Sequence, residues 1–360
     1  MKKMLPILMA FALGAAVTGC SQKTAAPQPT TAAETLPAST EAPETAATAA
    51  SEAAAEETDA SEDVVIRVGS LKGPTSMGLV ELMDRAGKGE TDYHFDFTMV
   101  TAADELLGKM VSGDLDIALV PANVASVLYN KTQGQVAVID INTLGVLDIV
   151  ASDDSIKGIP DLKGKTLYLT GKGTTPDYVI QYLLSANGLT EEDVTLEYKS
   201  EPTEVAAVLK EQADAIGLLP QPFVTAAMAQ NESLKLVLDL TTEWQNVQGK
   251  GGSQLVTGVT VVRREFLEEQ EQAVASFLEE HRVSAAFTEQ EPDQAAELIA
   301  AAGIIEKAPV AKKALPYCNI VSISGEEMKN ALSGYLQVLF DQDPKSVGGK
   351  LPEDDFYYQP

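Results

Sequence analysis

Cysteine, histidine and arginine are scarce in this chain. Its 360 residues hold two cysteines, Cys20 and Cys318, and two histidines, His94 and His281. No His-x-His, Cys-x-x-Cys or His-Glu-x-x-His spacing occurs, so the usual zinc centres lack their ligands and no metal or other cofactor is expected. There is no Gly-x-Ser-x-Gly elbow for a serine nucleophile. Gly171-Lys172-Gly173-Thr174 lacks the spacing of a phosphate loop. Cys318 lies in Ala314-Leu315-Pro316-Tyr317-Cys318-Asn319-Ile320 with no histidine near it, which reads as a buried structural cysteine rather than a nucleophile. His94, between Tyr93 and Phe95 at a strand start, and His281, after Glu279-Glu280 on an acidic helix, read as surface or boundary residues. The acidic pairs Glu191-Glu192 and Glu326-Glu327 read as helix starts, where they suit the dipole.

Basic residues are also few. The formal charge is −27. Setting aside Lys2 and Lys3, and the nine acids and one lysine of residues 21–63, leaves −21 for the rest. This acidity argues against nucleic acid and anionic lipid as partners.

What is present starts with the first twenty residues. Lys2 and Lys3 precede an apolar run from Leu5 to Val17, too short and wrongly flanked to span a bilayer. The run ends in Val17-Thr18-Gly19-Cys20. Basic start, apolar core, small residues and cysteine, in that order, resemble the signal and lipobox of bacterial lipoproteins. The resemblance implies that residues 1–20 are a signal segment, that Cys20 carries lipid, and that the body sits at the outer face of the cytoplasmic membrane. An ordinary signal peptide with a chance cysteine is the plainer alternative. If lipid takes Cys20, Cys318 has no partner and packing alone must stabilise the body.

Residues 21–63 consist mostly of Ala, Thr, Glu, Pro and Ser, with Leu36 the one large aliphatic residue. Such a segment cannot bury enough apolar surface to offset chain entropy and reads as a disordered acidic spacer. The composition from Val64 onward is globular, and its length exceeds one ordinary core, so two domains are expected. Strands at 64–68, 95–100, 116–120 and 136–141 alternate with helices at 76–85, 103–111 and 122–128, which implies parallel sheets covered by helices on both faces.

The plan then repeats. Leu71-Lys72-Gly73-Pro74-Thr75-Ser76 leads into a helix, as does Gly171-Lys172-Gly173-Thr174-Thr175-Pro176, 100 positions on. Ala118-Leu119-Val120-Pro121 before Ala122-Asn123-Val124 is echoed by Gly217-Leu218-Leu219-Pro220 before Gln221-Pro222-Phe223, and the helix at 103–111 by one at 204–210. Ligands of open parallel sheets bind at the carboxyl ends of the strands. Two facing lobes would bring four loops to one cleft, at 73–77, 121–124, 173–177 and 220–223. The alternative is that all strand-loop-helix units look alike.

Together with Gly113-Asp114-Leu115-Asp116-Ile117-Ala118 and Asp161-Leu162-Lys163-Gly164-Lys165-Thr166, these loops resemble the solute-binding proteins of ABC importers. The nearest group is the nitrate, sulfonate and taurine type, which includes thiamine-precursor binders. The resemblance spans nearly all of residues 64–358. It implies an α/β, two-lobed periplasmic binding protein fold of class II, two doubly wound lobes joined by crossover strands near 143–152 and 257–263. Lobe one would comprise 64–147 plus 259–360, and lobe two 148–258. It further implies a monomer that captures a small organic solute between its lobes and delivers it to an ABC permease and its ATPase. The alternative is an enzyme of the same fold, like those of the menaquinone and thiamine pathways, acting on a small aromatic metabolite; the lipobox argues against it.

The four loops offer hydroxyls, amides and rings. Thr75, Ser76, Met77, Asn123, Thr174, Thr175, Tyr178, Gln221 and Phe223 are the candidate solute contacts, with Trp244 as a further ring. Asn123 and Gln221 stand out because each follows a strand-ending proline at matching places in the repeat. The plainer reading makes Thr75 and Thr174 helix caps and Tyr178 and Phe223 core. None of the arginines beyond residue 63 (Arg67, Arg85, Arg263, Arg264, Arg282) lies in these loops. That lowers the expectation of a strongly anionic solute and favours a neutral or zwitterionic, partly flat one. Lys72 and Lys172 read as solvated turn residues.

Overall fold

The computed structural model describes residues 64–190 and 192–360. The signal segment, Cys20, the spacer and Glu191 lie outside the described residues. The chain opens with β1 (Val65–Leu71), α1 (Pro74–Met77), α2 (Val80–Lys88), β2 (His94–Val100), α3 (Ala103–Ser112), β3 (Ile117–Pro121), α4 (Ala122–Thr132) and β4 (Val136–Leu144). Next come β5 (Leu147–Ala151), β6 (Thr166–Leu169), α5 (Thr175–Ala186), β7 (Thr195–Tyr198), α6 (Pro202–Glu211), β8 (Ile216–Pro220), α7 (Phe223–Gln230), β9 (Lys235–Asp239) and α8 (Leu240–Gln248). The last part holds β10 (Val256–Arg263), α9 (Arg264–Glu269), α10 (Glu271–Gln290), α11 (Pro292–Ala301), α12 (Ala308–Ala314), β11 (Ile320–Ile323) and α13 (Gly325–Gln342).

Two sheets result. The first has six strands in the order β11-β4-β10-β3-β1-β2, the second five in the order β7-β6-β8-β5-β9. Without edge strand β11 the two orders are the same pattern: β1 corresponds to β6, β2 to β7, β3 to β8 and β4 to β9. The odd strand in each is supplied by a crossing. β10 runs antiparallel to β3 and β4, and β5 runs antiparallel to β8 and β9. The repeat legible in the loops is therefore a repeat of whole lobes. The central strands β4 and β5 are buried almost throughout. Their residues are accordingly mostly apolar, and the exceptions, Asp140, Asn142, Thr143 and Asp148, are buried polar groups.

The first crossing is the two-residue link between β4 and β5, inside the expected stretch. The return lies at 249–255, slightly earlier than expected, because β10 begins at Val256 and pairs with β4 from that residue. Gly145 in the first link is required sterically: a Cβ there would stand 2.2 Å from Thr241 Oγ1.

Three further expectations need correction. The single helix at 76–85 is two helices, broken at Gly78-Leu79. A Cβ on Gly78 would come 3.0 Å from Ile320 Cγ2, so the chain passes close under β11, and glycine is a poor helix former. His281 is not a boundary residue. It is fully buried on α10, and its Nδ1 lies 2.6 Å from Asp140 Oδ2, which also accepts from Ser322 Oγ. The flanking acids misled the reading because Glu279 faces solvent and Glu280 pairs with Arg85 of α2, while His281 faces inward. Glu192 lies in a turn before β7 rather than in a helix. Glu326 and Glu327 do occupy the first turn of α13, His94 is exposed, and Cys318 is buried with Sγ 3.3 Å from Ala314 O.

The Gly-Asp-Leu-Asp motif has a physical cause. Gly113 ends α3 at φ 78°, in the left-handed region. Asp116, 1% exposed, accepts from Arg67 N at 3.0 Å, Arg67 Nε at 2.8 Å, Arg67 Nη2 at 2.5 Å and Arg263 Nη2 at 2.9 Å. It thus ties β1, β3 and β10 together.

Candidate functional site

A cavity of about 280 Å³ opens where the strands of both sheets end. Each of the four expected loops contributes to its wall, through Gly73 to Thr75, Pro121, Thr174 to Pro176, and Pro220 with Phe223. Two further loops contribute that the sequence reading passed over: Thr101 to Asp104 ahead of α3, and Ser200 with Pro202 ahead of α6. They obey the same strand-to-helix rule, and the helices they enter, α3 and α6, are the pair already matched in the repeat. Leu147 and Thr257, from the crossing strands, complete the wall.

Of the candidate contacts, Thr75, Thr174, Thr175 and Phe223 line the cavity. Thr75 Oγ1 donates to Leu71 O at 2.9 Å, Thr174 Oγ1 to Gly171 O at 2.7 Å, and Thr175 Oγ1 to Thr257 O at 3.3 Å. With their protons used on backbone carbonyls, the Thr75 and Thr174 hydroxyls have lone pairs left to offer, whereas Thr175 is fully buried behind them. Phe223 is 7% exposed, packs into the second lobe's core and shows one edge to the cavity.

The others sit elsewhere. Ser76 Oγ donates to Leu71 O at 2.5 Å and lies 2.6 Å from Ser70 Oγ. Met77 is buried in an apolar cluster with Cys318. Gln221 is buried in the second lobe: its Nε2 donates to Asp148 Oδ2 at 3.1 Å and its Oε1 accepts from Thr225 Oγ1 at 2.9 Å. Tyr178 packs at the edge of the main core, and burial pushes its hydroxyl pKa up. Trp244 is fully buried between Tyr182 and Tyr335, with Nε1 donating to Ser253 O at 2.9 Å. Asn123 is fully buried and bridges the lobes. A polar residue just after a strand-ending proline points to the cleft or to the neighbouring loop with equal ease. Spacing alone does not separate the two.

The charged groups on the wall are Lys72, Lys172 and Asp104, all exposed at its mouth. Among the described residues neither lysine has an ion-pair partner; Lys172 Nζ lies 5.2 Å from the centre of the Tyr198 ring. The first turns of α3, α5 and α6 also border the cavity, and their free amides add positive potential. The two lysines read from sequence as solvated turn residues are thus part of the wall. The wall contains neither histidine nor cysteine among the described residues.

Two similar α/β lobes, two crossing strands and a cavity between strand ends define a class II periplasmic binding protein. A family model described as "ABC transporter, phosphonate, periplasmic substrate-binding protein" matches residues 86–292, more than half of the chain, and the chain belongs to this family. Solved structures agree on the fold. An ABC transporter protein from Parabacteroides distasonis is 23% identical with TM-score 0.68, covering 82% of this chain and 99% of its own. The periplasmic aliphatic sulphonate binding protein SsuA from Escherichia coli is 17% identical with TM-score 0.65, covering 82% and 92%. The alkanesulfonate-binding protein SsuA from Xanthomonas axonopodis pv. citri, bound to MOPS, is 17% identical with TM-score 0.63, covering 82% and 96%. A putative binding protein from Brucella abortus is 23% identical over 158 residues, 44% of this chain and 48% of its own, so the match spans about half the length of that relative. The resemblance to ABC importer solute binders read from the loops is therefore correct. The family is one of substrate-binding proteins, and it is extracytoplasmic.

Proposed function

We propose that this protein captures a small organic solute bearing an oxyanion between its two lobes and delivers it to an ABC permease. The observation that carries the solute class is the pair of unpaired lysines, Lys72 and Lys172, on equivalent loops of the two lobes at the mouth of one cavity. Lysine suits a phosphonate or sulfonate oxyanion as a point charge where no arginine is available. The threonine lone pairs and Asp104 suit hydrogen-bond donors at the other end of the solute, so a zwitterion fits better than a simple dianion. The phosphonate description of the family and the sulfonates of two structural neighbours support this reading. Thr75, Thr174, Thr175 and Phe223 are the contacts carried forward from the sequence.

A solute touching both lobes is better satisfied when they close, so binding shifts the population toward closure and presents both lobe surfaces to the permease and its ATPase. Because the family is one of substrate-binding proteins, we read it as a binder rather than an enzyme. We read it as a monomer of two lobes, the first of 64–147 with the chain from β10 onward, and the second running from 148 to the return at 249–255.

The test is a thermal-shift screen followed by calorimetry with methylphosphonate, ethanesulfonate, zwitterionic amino compounds and neutral pyrimidines. A solute that binds the native state alone raises the melting temperature. Lys72→Ala and Lys172→Ala should each weaken oxyanion binding about ten- to hundredfold, since a hydrogen bond to a charged group is worth ~1.5–3 kcal/mol. Stabilisation by neutral pyrimidines alone, with both lysine variants binding as wild type, would reject the oxyanion.

We further propose that Cys20 carries the lipid that holds the body at the membrane, with residues 21–63 as spacer. The anchor keeps the binder near its permease and raises its effective concentration. Expressed with its signal in a bacterium, wild type should fractionate with membranes, and Cys20→Ala should lose the acyl mass and become soluble. Wild type recovered unmodified from the soluble fraction would remove the anchor.

A further inference from the structure

We propose that Asn123 is a clasp that couples lobe closure to assembly of the cavity wall, a positioning residue that does not itself touch solute. The proposal rests on the solute-binding reading above. Asn123 is the second residue of α4 and is fully buried. Its side-chain nitrogen has two hydrogens and two acceptors, one in each lobe. Nδ2 lies 3.1 Å from Ser346 O in the first lobe and 3.2 Å from Gly173 O in the second. The Ser346 end is firm: the short turn that contains it (Pro344–Val347) is also held by Ser126 Oγ and Asn130 Nδ2, each 2.8 Å from Val347 O. One hydrogen thus anchors Asn123 at home and the other reaches across the cleft.

What it reaches is part of the wall. Gly173 sits at φ 75°, in the left-handed region that favours glycine, between Lys172 and Thr174, both of which line the cavity. Its N–H donates to Asp177 Oδ2 at 2.7 Å, on its own lobe, while its carbonyl accepts from Asn123. The peptide that carries Lys172 and Thr174 is therefore gripped from both lobes at once, and only when they meet. Thr175 Oγ1 adds a second bridge, 3.3 Å from Thr257 O on β10 of the first sheet and 3.5 Å from Asn123 Oδ1. Gln221, which follows the equivalent strand-ending proline of the second lobe, is committed to Asp148 and Thr225 within its own lobe, so the clasp runs from the first lobe to the second and not back. Parting the lobes returns Asn123 and Gly173 to water. The net worth of such a bond then amounts to roughly two- to tenfold in the ratio of closed to open forms.

The test uses the whole mature chain, with Asn123→Ala, Asn123→Ser as a second variant too short to bridge, and Ser126→Ala as a control. The control loosens the same C-terminal turn without reaching the second lobe. Small-angle scattering without solute should give a larger radius of gyration for both Asn123 variants than for wild type and Ser126→Ala. Emission from Trp244, the single tryptophan, packed against Tyr335 of α13, should shift in the same variants. With methylphosphonate as probe, the Asn123 variants should show a Kd raised two- to tenfold through faster dissociation, with association unchanged. Identical scattering in wild type and both Asn123 variants overturns the clasp, as does an equal change in Ser126→Ala. A loss beyond a hundredfold with slowed association would make Asn123 a direct contact. Failure of methylphosphonate to bind wild type counts against the solute class alone, because scattering still decides the clasp.

Discussion

Asp116→Ala should be the most damaging single substitution outside the apolar core, lowering unfolding free energy by about 3 kcal/mol or more, the range for breaking one side of a buried ion pair. The carboxylate is 1% exposed, while its partners Arg67 and Arg263 are part-buried and would each lose it. Arg67 can turn partly to water, which keeps the expected loss near the lower end. Burial alone would push the Asp116 carboxyl up; the hydrogen bonds from Arg67 and Arg263 outweigh burial and hold it below the usual carboxylate range. A lowered folded pKa contributes stability that is present above the unfolded value, near 4, and is lost as pH falls through the folded one. Denaturant unfolding of wild type and Asp116→Ala at pH 7 measures the difference. A loss under 1 kcal/mol would mean that the three strands are not held by this group.

Asp148→Asn should do the reverse and stabilise the protein at pH 8. Asp148 opens β5, directly after the first crossing, and lies opposite Asp239 in the β5–β9 pairing. Burial and the neighbouring Asp239 raise its pKa to about 7, with the Gln221 amide acting the other way. For an acid whose folded pKa is raised, the folded state holds the proton more tightly. Below pH 4 the group is protonated in both states and costs nothing. Between pH 4 and 7 stability falls as pH rises, and above pH 7 the full cost of the buried charge remains, on the order of 4 kcal/mol as an upper bound. Asparagine keeps an acceptor for Gln221 Nε2 and offers Asp239 a donor. Melting curves at pH 4, 6 and 8 should show Asp148→Asn close to wild type at pH 4 and clearly above it at pH 8. Parallel pH profiles for the two proteins would show that Asp148 is ionised in the fold without cost.

Much of the architecture was legible because parallel α/β lobes announce themselves locally. Apolar strand runs such as 117–120 and 136–139, helix stops at glycine, and a loop motif repeated at a spacing of 100 residues all follow from short-range rules. The Gly-Asp-Leu-Asp motif is of the same kind, since its glycine ends a helix and its aspartate meets Arg67 on the adjacent strand. The site was legible at the level of loops and not of side chains. Thr75 and Gln221 sit in equally persuasive sequence contexts, yet one lines the cavity and the other is locked to Asp148. Lys72 and Lys172 read as solvated turn residues and prove to flank the cavity mouth. His281 read as a surface residue and is buried against Asp140.

The sequence by itself determined the class of fold, the duplication and the strand ends around which the cavity forms, because helix and strand periodicity, turn residues and chain connectivity are local properties. Tertiary structure alone decided which polar groups face the cavity and which face each other. Donors and acceptors of one loop are satisfied by whatever lobe closure brings near. The partner of Asn123 stands fifty residues away, at Gly173, and the partner of His281 stands 141 residues away, at Asp140. No spacing within a single segment records such a meeting.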